Sequence, residues 1–352
     1  MLPVLSLNII RRISTMLLIL TVFLLGMPIT SVSAHDSEIS TSLSSKNSVD
    51  TKPHVETQFS RTGDKINVFS WNVSGDAFVK DPEVFKALVT KAEANILLLD
   101  EVSPLTNESQ IHKALPGMTL DKGNDWHINF GTSGGRQRNV IISRLPQENL
   151  PEFSKIIPYP EFEKERIRDR MIAAGKQKHS YGLDDGLAVN GVIIIDGENR
   201  LLAVSSDLEC CGNDPGSWQE DKRRMEAREI RRLIGKVIER TQVDGIILAG
   251  DLNLVSTVLP LIILSGPYKK PHSGLIAADL RHLDGKETWT WDGRGTPFPS
   301  RVMDLVIYSP NTIHLSDGYI LDPEDLSPEE SKQMGIRPET FSELSEHLAL
   351  SG

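Results

Sequence analysis

Positive charge is what this chain is short of: 38 Lys plus Arg stand against 48 Asp plus Glu in 352 residues, a formal net charge of −10. A protein that held long nucleic acid chiefly through its phosphates would carry the opposite balance. The acidity therefore lends no support to a nucleic-acid scaffold, although it does not exclude a nuclease. Aromatic residues make up only 6% of the chain. They form no array suited to stacking on unpaired bases, and no basic recognition helix stands out. Cysteine is scarcer still. Only Cys210 and Cys211 are present, adjacent to one another, which excludes an ordinary bridge across a long loop, a CxxC redox motif and the spacing of a cysteine metal site. An intermolecular bridge, a strained vicinal disulfide and two free thiols all stay open.

Long apolar runs are missing too. The most apolar stretch, Met16 to Leu25, is short for a membrane span. It follows Arg11 and Arg12 and precedes Gly26, Pro28 and the small-residue sequence Val32-Ser33-Ala34, so residues 1–34 read as a cleavable export signal. An uncleaved membrane anchor is the alternative, and the paired arginines are compatible with twin-arginine export. Residues 35–62, rich in Ser, Thr and charge, read as a flexible leader. The folded domain is expected over 63–352.

Within that domain the chain is organised around Gly245 to Asn253, read Gly-Ile-Ile-Leu-Ala-Gly-Asp-Leu-Asn. Ile246 to Gly250 fit a strand buried on both faces, and its end delivers Asp251 and Asn253, a carboxylate and a carboxamide two residues apart. One can take a proton; the other only hydrogen-bonds. Lys65 to Val73 is a β-rich run carrying Asn72. Asp81-Pro82 then supplies a helix cap and first turn, with Val84, Phe85, Leu88, Val89 and Ala92 at helical spacing. Ile96 to Val102 is a second apolar strand ending in the carboxylates Asp100 and Glu101, of which Glu101 is a potential oxygen ligand for a hard cation. Strand, helix, strand is the unit of a layered α/β protein.

Further along, Gly131 to Arg138 combines glycines with Arg136 and Arg138 before a strand at 139–143, a combination able to hold an anion and equally suited to a mobile loop. Lys164, Arg166, Arg168 and Arg170 suit a solvated helical face better than a cationic substrate flap. Val189–Ile195 and Leu201–Ser205 read as hairpin strands joined at Asp196-Gly197-Glu198-Asn199, the second running into Asp207. Ser217 and Glu220 suggest a capping box opening a helix with Ile230, Leu233, Ile234, Val237 and Ile238 inward. Val258–Leu264 is another apolar segment, and Thr288–Trp291 alternates like an edge strand. Arg301–Tyr308 is a strand with an acid, Asp304, that needs a partner. Near the end stands Ser345-Glu346-His347.

In order and separation, Trp71-Asn72-Val73, Leu99-Asp100-Glu101-Val102, Gly250-Asp251-Leu252-Asn253, Met303-Asp304 and Ser345-Glu346-His347 resemble the motifs of the endonuclease/exonuclease/phosphatase superfamily, the DNase-I-like fold, over roughly residues 64 to 350. The resemblance implies a four-layer α/β/β/α sandwich of two mixed sheets and Mg²⁺-dependent hydrolysis of a phosphoester, with Mn²⁺ or Ca²⁺ as alternatives. It also implies Glu101 as principal metal ligand with Asn72 beside it, and Glu346, an acid where many members have Asp, within reach of the metal. Asp251 would orient or deprotonate water, Asn253 would contact phosphate oxygens, and Asp304 would fix His347. Asp207 stands where many members have His or Tyr, and with Arg136 and Arg138 it is a candidate substrate contact. Only Leu348 to Gly352 follow the histidine, short for a closing strand and expected to mean either a truncated chain or a brief sheet edge.

Fold does not choose among phosphoesters. The expectation is an exported, monomeric phosphodiesterase or nuclease without a stable protein partner. A sphingomyelinase-like enzyme acting on phospholipid headgroups and a catalytically silent binding protein on the same scaffold are the alternatives.

Overall fold

Runs of β-branched and aliphatic residues four to eight long, separated by polar turns, can bury both faces only inside a stack of layers. The computed structural model describes residues 65–117, 126–337 and 344–352, all within one compact unit, 58–352. The export signal and the whole of the expected leader lie outside the described residues. No helix among those described is long and apolar enough to cross a membrane.

In chain order the strands are β1 (Val68–Gly75), β2 (Ile96–Val102), β3 (His127–Phe130), β4 (Arg138–Ser143), β5 (Gln147–Asn149) and β6 (Val189–Asp196). They continue as β7 (Asn199–Ser206), β8 (Gly245–Asp251), β9 (Ile276–Ala277), β10 (Asp304–Tyr308), β11 (Tyr319–Leu321) and β12 (Ala349–Ser351). One sheet has the order β11-β12-β1-β2-β4-β3, the other β5-β6-β7-β8-β10-β9. Both are mixed: β1 runs parallel to β2 and β7 parallel to β8, while β10 is antiparallel to β8 and β12 to β1.

Period-two alternation sorts the side chains into three cores. Phe69, Trp71, Leu97 and Leu99 pack outward against Phe85 and Leu88 of the helix Pro82–Lys91. On the other side, Leu202, Val204, Ile246 and Leu248 lie under Ile230, Ile234 and Val237 of the helix Trp218–Arg240. Val68, Ile96, Leu98, Ala203, Ile247 and Ala249 fill the space between the sheets. The result is the expected α/β/β/α sandwich.

Several local expectations change. Ser217 does cap its helix, accepting from the Glu220 amide at 3.2 Å, but the buried Glu220 carboxylate is held by Arg223, Arg224 and Thr257. The segment at 258–264 is a short helix, Leu259–Ser265. Thr288–Trp291 forms isolated bridges from Trp291 to Arg301 and His347, not an edge strand. The reason is Thr290, whose Oγ1 accepts from the amides of Met303 and Asp304 at 2.9 and 2.8 Å, displacing ladder bonds. The short closing strand β12 is no edge either, since it lies between β11 and β1. Lys164, Arg166, Arg168 and Arg170 sit on the helix Glu161–Ala173, paired with Asp184, Glu165 and Asp221, as a solvated face would have them.

A cleft of about 560 Å³ opens between the sheets near Ile66, Gly245 and Tyr308. It lies at the strand ends opposite those carrying Asp251 and Asp304.

One glycine is indispensable to the arrangement. Gly250 has φ +136, and a Cβ there would lie 2.0 Å from the Ser206 carbonyl oxygen. Backbone cannot yield that distance cheaply. Gly250→Ala is expected to lower folding stability by on the order of 3 kcal/mol, read as a reduced urea midpoint at unchanged slope.

Candidate active site

Because β1 and β2 are parallel, Asn72 stands opposite Asp100 in register. Because β8 and β10 are antiparallel, Asp251 stands opposite Asp304. Asn72 and Asp251 lie near the C-terminal ends of β1 and β8, while Asp304 opens β10. By the two-residue period Asn72, Asp100, Asp251 and Asp304 continue the faces that fill the gap between the sheets, so one end of the gap is polar. His347 joins them from the segment before β12, whose position is fixed by the Trp71 indole donating to the His347 carbonyl at 2.8 Å.

The contacts are specific. His347 Nδ1 is 2.8 Å from Asp304 Oδ2, and the same oxygen accepts from Thr290 Oγ1 at 2.7 Å. His347 Nε2 faces Asp251 Oδ2 at 3.8 Å. Asp251 Oδ1 accepts from the Asn253 amide at 2.8 Å, and the Asn253 side chain donates to the Leu208 carbonyl at 2.9 Å. Asn72 Nδ2 donates to Glu101 Oε1 at 3.2 Å. The Ser345 hydroxyl donates to the Asn72 carbonyl at 2.8 Å and accepts from the His347 amide at 3.0 Å, tying the two halves together. Glu101 and Asn253 hold left-handed backbone, φ 52 and 47, a strain that non-glycine residues retain where the surroundings impose it.

A family model described as "Endonuclease/Exonuclease/phosphatase family" matches residues 69–342. The chain belongs to the endonuclease/exonuclease/phosphatase family. No curated protein matches the sequence. Among solved structures, truncated TDP2 from Caenorhabditis elegans is 15% identical with a TM-score of 0.50, over 81% of this chain and 95% of that one. A family protein from Bacteroides vulgatus is 12% identical with a TM-score of 0.47, over 81% and 97%. One from Leptotrichia buccalis is 10% identical with a TM-score of 0.46, over 82% and 98%. At such identities the C. elegans likeness is one of fold.

In this family member the mouth is an acidic basin with one imidazole. Burial, then Asp304, Asp251 and Glu101, push Asp100 well above the ordinary carboxylate range, while His347 draws it down. Asp207 is raised in the same way by burial and by Glu101, Asp251 and Asp100. Burial raises Asp251 to about 7; His347 and the Asn253 amide oppose this, and Asp304 and Glu101 reinforce it. Burial would lower His347, but Asp304 and Asp251 outweigh it and raise it to about 10.

Both Asp100 oxygens, Asp207 Oδ1 and Asp304 Oδ1 are buried without a hydrogen-bond partner. Unpartnered buried carboxylate oxygens are costly alone and are the donors a hard dication takes, so the residues present fit such an ion. Asp251, Asp304 and His347 also bring one ligand atom each within 4.8 Å of one another.

The other candidates fall differently. Glu346 is revised: its side chain is exposed and accepts from Trp291 Nε1 at 3.2 Å, because its neighbour His347 takes the inward direction. Arg138 is revised as well. Its guanidinium donates to the Ser103 and Thr106 carbonyls at 2.6 and 2.7 Å and lies over the Phe130 ring, anchoring the turn after β2. Arg136 is exposed. Asp207 is buried beside the basin, one oxygen accepting from Gln137 at 2.6 Å, and so offers a substrate no surface.

Sequence reasoning gave no role to Asp100, Thr290 or Ser345. Asp100 carried a signal, a carboxylate closing an apolar run. Thr290 carried none, since its role depends on a contact 14 residues away.

Asp100 yields a prediction with opposite signs for stability and binding. Its folded-state pKa lies well above the ordinary carboxylate value, so without a cation it costs stability as pH rises from that ordinary value through the raised one. Asp100→Asn, whose amide can donate to neighbouring carboxylates, is expected to stabilise the chelator-treated protein by about 1–2 kcal/mol near neutral pH. Divalent-cation affinity should fall about 10–100-fold. Thermal melts in chelator and calorimetric titration check the two halves.

Proposed function

We propose that the protein is an exported, divalent-cation-dependent phosphodiesterase that uses Asp251 as base and His347 as the cationic donor to phosphate. The observation that carries this reading is a single imidazole, held by Asp304, placed against a basin of buried carboxylates of which one, Asp251, is raised to about 7. Glu101 and Asn72 would hold the cation, with Asp100 behind them. When bound, such an ion, Mg²⁺ in the first instance, neutralises phosphate charge and acts as a Lewis acid.

The residues of this chain supply the rest. Asp251, fixed by the Asn253 amide, accepts a proton from the attacking water. Asn253 has one side-chain N–H engaged with Leu208 and a second available to a phosphate oxygen. His347, its Nδ1 held by Asp304, presents Nε2 to the developing charge. Thr290 locks the Asp304 rotamer, so the imidazole is oriented before substrate arrives.

A silent scaffold would rest on Glu346 and Asp207, the two acids that depart from the pattern the resemblance implies. With Glu346 exposed and bonded to Trp291, one of those two supports is gone. Export rests on Arg11, Arg12, the run Met16–Leu25 and Val32-Ser33-Ala34.

The test incubates the full chain with DNA, RNA, sphingomyelin, inositol phosphates and a chromogenic phosphodiester, with Mg²⁺, Mn²⁺ or Ca²⁺ and with chelator. Chelator-sensitive turnover of at least one phosphodiester is expected. A folded, cation-binding protein inactive on all of them would refute the reading. N-terminal sequencing of protein recovered outside the cytoplasm tests export.

A further inference from the structure

The chain's only two cysteines follow the strand end that carries Asp207, and nothing in the phosphodiesterase reading uses them. Both are exposed, and their Sγ atoms are 2.9 Å apart. Cys211 holds left-handed backbone, φ 66, a conformation disfavoured outside glycine. Side chains hold its loop from below: Ser217 Oγ donates to the Gly212 carbonyl at 3.4 Å and the Glu226 carboxylate accepts from the Glu209 amide at 2.8 Å. Arg223, fully buried, donates to the carbonyls of Glu209 at 2.8 Å, Cys211 at 2.6 Å and Gly212 at 3.1 Å. At the loop's near end, Leu208 donates its amide to the Asp251 carbonyl at 2.9 Å and accepts from the Asn253 side chain at 2.9 Å. Glu209 alone therefore separates a solvent-facing dithiol from Leu208, whose backbone bonds two residues of the site.

We propose that Cys210 and Cys211 form a thiol–disulfide exchange site that closes reversibly to a vicinal disulfide, and that closure is transmitted through Leu208 to Asn253. The oxidant is a small-molecule or protein disulfide. The Cys211 thiolate attacks one sulfur of that disulfide, forming a mixed disulfide and expelling the first thiolate. Cys210, giving up its proton, then attacks Cys211 Sγ and expels the second. Two cysteine thiols and one disulfide become one cysteine disulfide and two small thiols.

Contact with Cys210 first, then the charges of Arg223 and Lys176, lower Cys211 to about 7 against burial and Glu209. Cys210 is pushed the other way by the same contact and by burial. The pair thus divides into an attacking and a resolving sulfur. Adjacent Cα atoms are about 3.8 Å apart, below the usual disulfide span of about 4.4–6.8 Å, so the closed ring is strained and easily reduced. Closure must move the peptide units around Cys211, the ones Arg223 holds.

The reduced full chain is incubated with oxidised glutathione, quenched with iodoacetamide and mapped by peptide mass. The peptide carrying both cysteines is expected to lose two hydrogens and take no alkyl group, with monomer on a non-reducing gel. Cys210→Ser should retain glutathione on Cys211, and Cys211→Ser should react about tenfold more slowly. Two alkyl groups, a persistent glutathione adduct or a disulfide-linked dimer in the unsubstituted chain would overturn the exchange site. Amide hydrogen exchange, which does not depend on the phosphodiesterase reading, tests the coupling. Peptides covering 204–209 and 250–255 should differ about threefold or more between closed and reduced forms. Identical exchange would overturn the transmission to Asn253.

Discussion

Asp251→Asn is expected to lower kcat on a phosphodiester by about a thousandfold, with KM changed far less. The substitution keeps the size and one acceptor, so the Asn253 amide retains its partner on Oδ1. What it removes is the proton acceptor. Burial and the acids around it raise Asp251 to about 7, a value suited to a base working near neutrality. The position is fixed by pairing with Asp304 in the β-ladder, and backbone error has little room to compensate. Steady-state kinetics with cation held saturating separates this loss from weakened cation binding. A variant within tenfold of the parent would mean that another group takes the proton.

His347→Gln and Asp304→Asn are expected to lower kcat by about 100–1,000-fold, and the double variant by little more than the worse single one. Non-additivity follows from geometry: Asp304 Oδ2 touches His347 Nδ1 at 2.8 Å, so each acts only through the other. The same pair predicts the pH profile. At limiting cation, kcat/KM needs Asp251 deprotonated, so it rises through about 7. It also needs His347 protonated, so it falls through about 10. A dication near Glu101 favours ionised Asp251, and raising its concentration should move the acid limb below 7 while moving the alkaline limb less. An acid limb that ignores cation concentration would separate Asp251 from the cation site.

Fold and site were legible in the sequence to different depths. Strands such as Ile96–Val102 and Gly245–Asp251 are buried on both faces, and such runs announce themselves whatever surrounds them. Asp81 and Ser217 marked helix starts because capping is local. Thr288–Trp291 misled because its pattern was strand-like while the Thr290 hydroxyl, not a partner strand, satisfied the nearby amides. At the site, Asp251, Asp304 and His347 were readable as types in order, and the register brought them together. Direction was harder to read. Glu346 and His347 are consecutive, and only the packing of Trp71 and Trp291 decides which turns inward. Arg138 resembled an anion ligand until the carbonyls of Ser103 and Thr106 were seen to occupy it. Asp100 was quoted among the motifs yet given no task, since its importance lies in what does not bond to it.

The most direct test of the account is an anomalous-scattering map from crystals of the full chain soaked in Mn²⁺. The account predicts a peak within coordination distance of the Glu101 carboxylate, in the basin bordered by Asp100 and Asp251, with His347 still bonded to Asp304. A peak coordinated by His347 between Asp251 and Asp304, or no peak in the basin at a concentration that supports turnover, would contradict it.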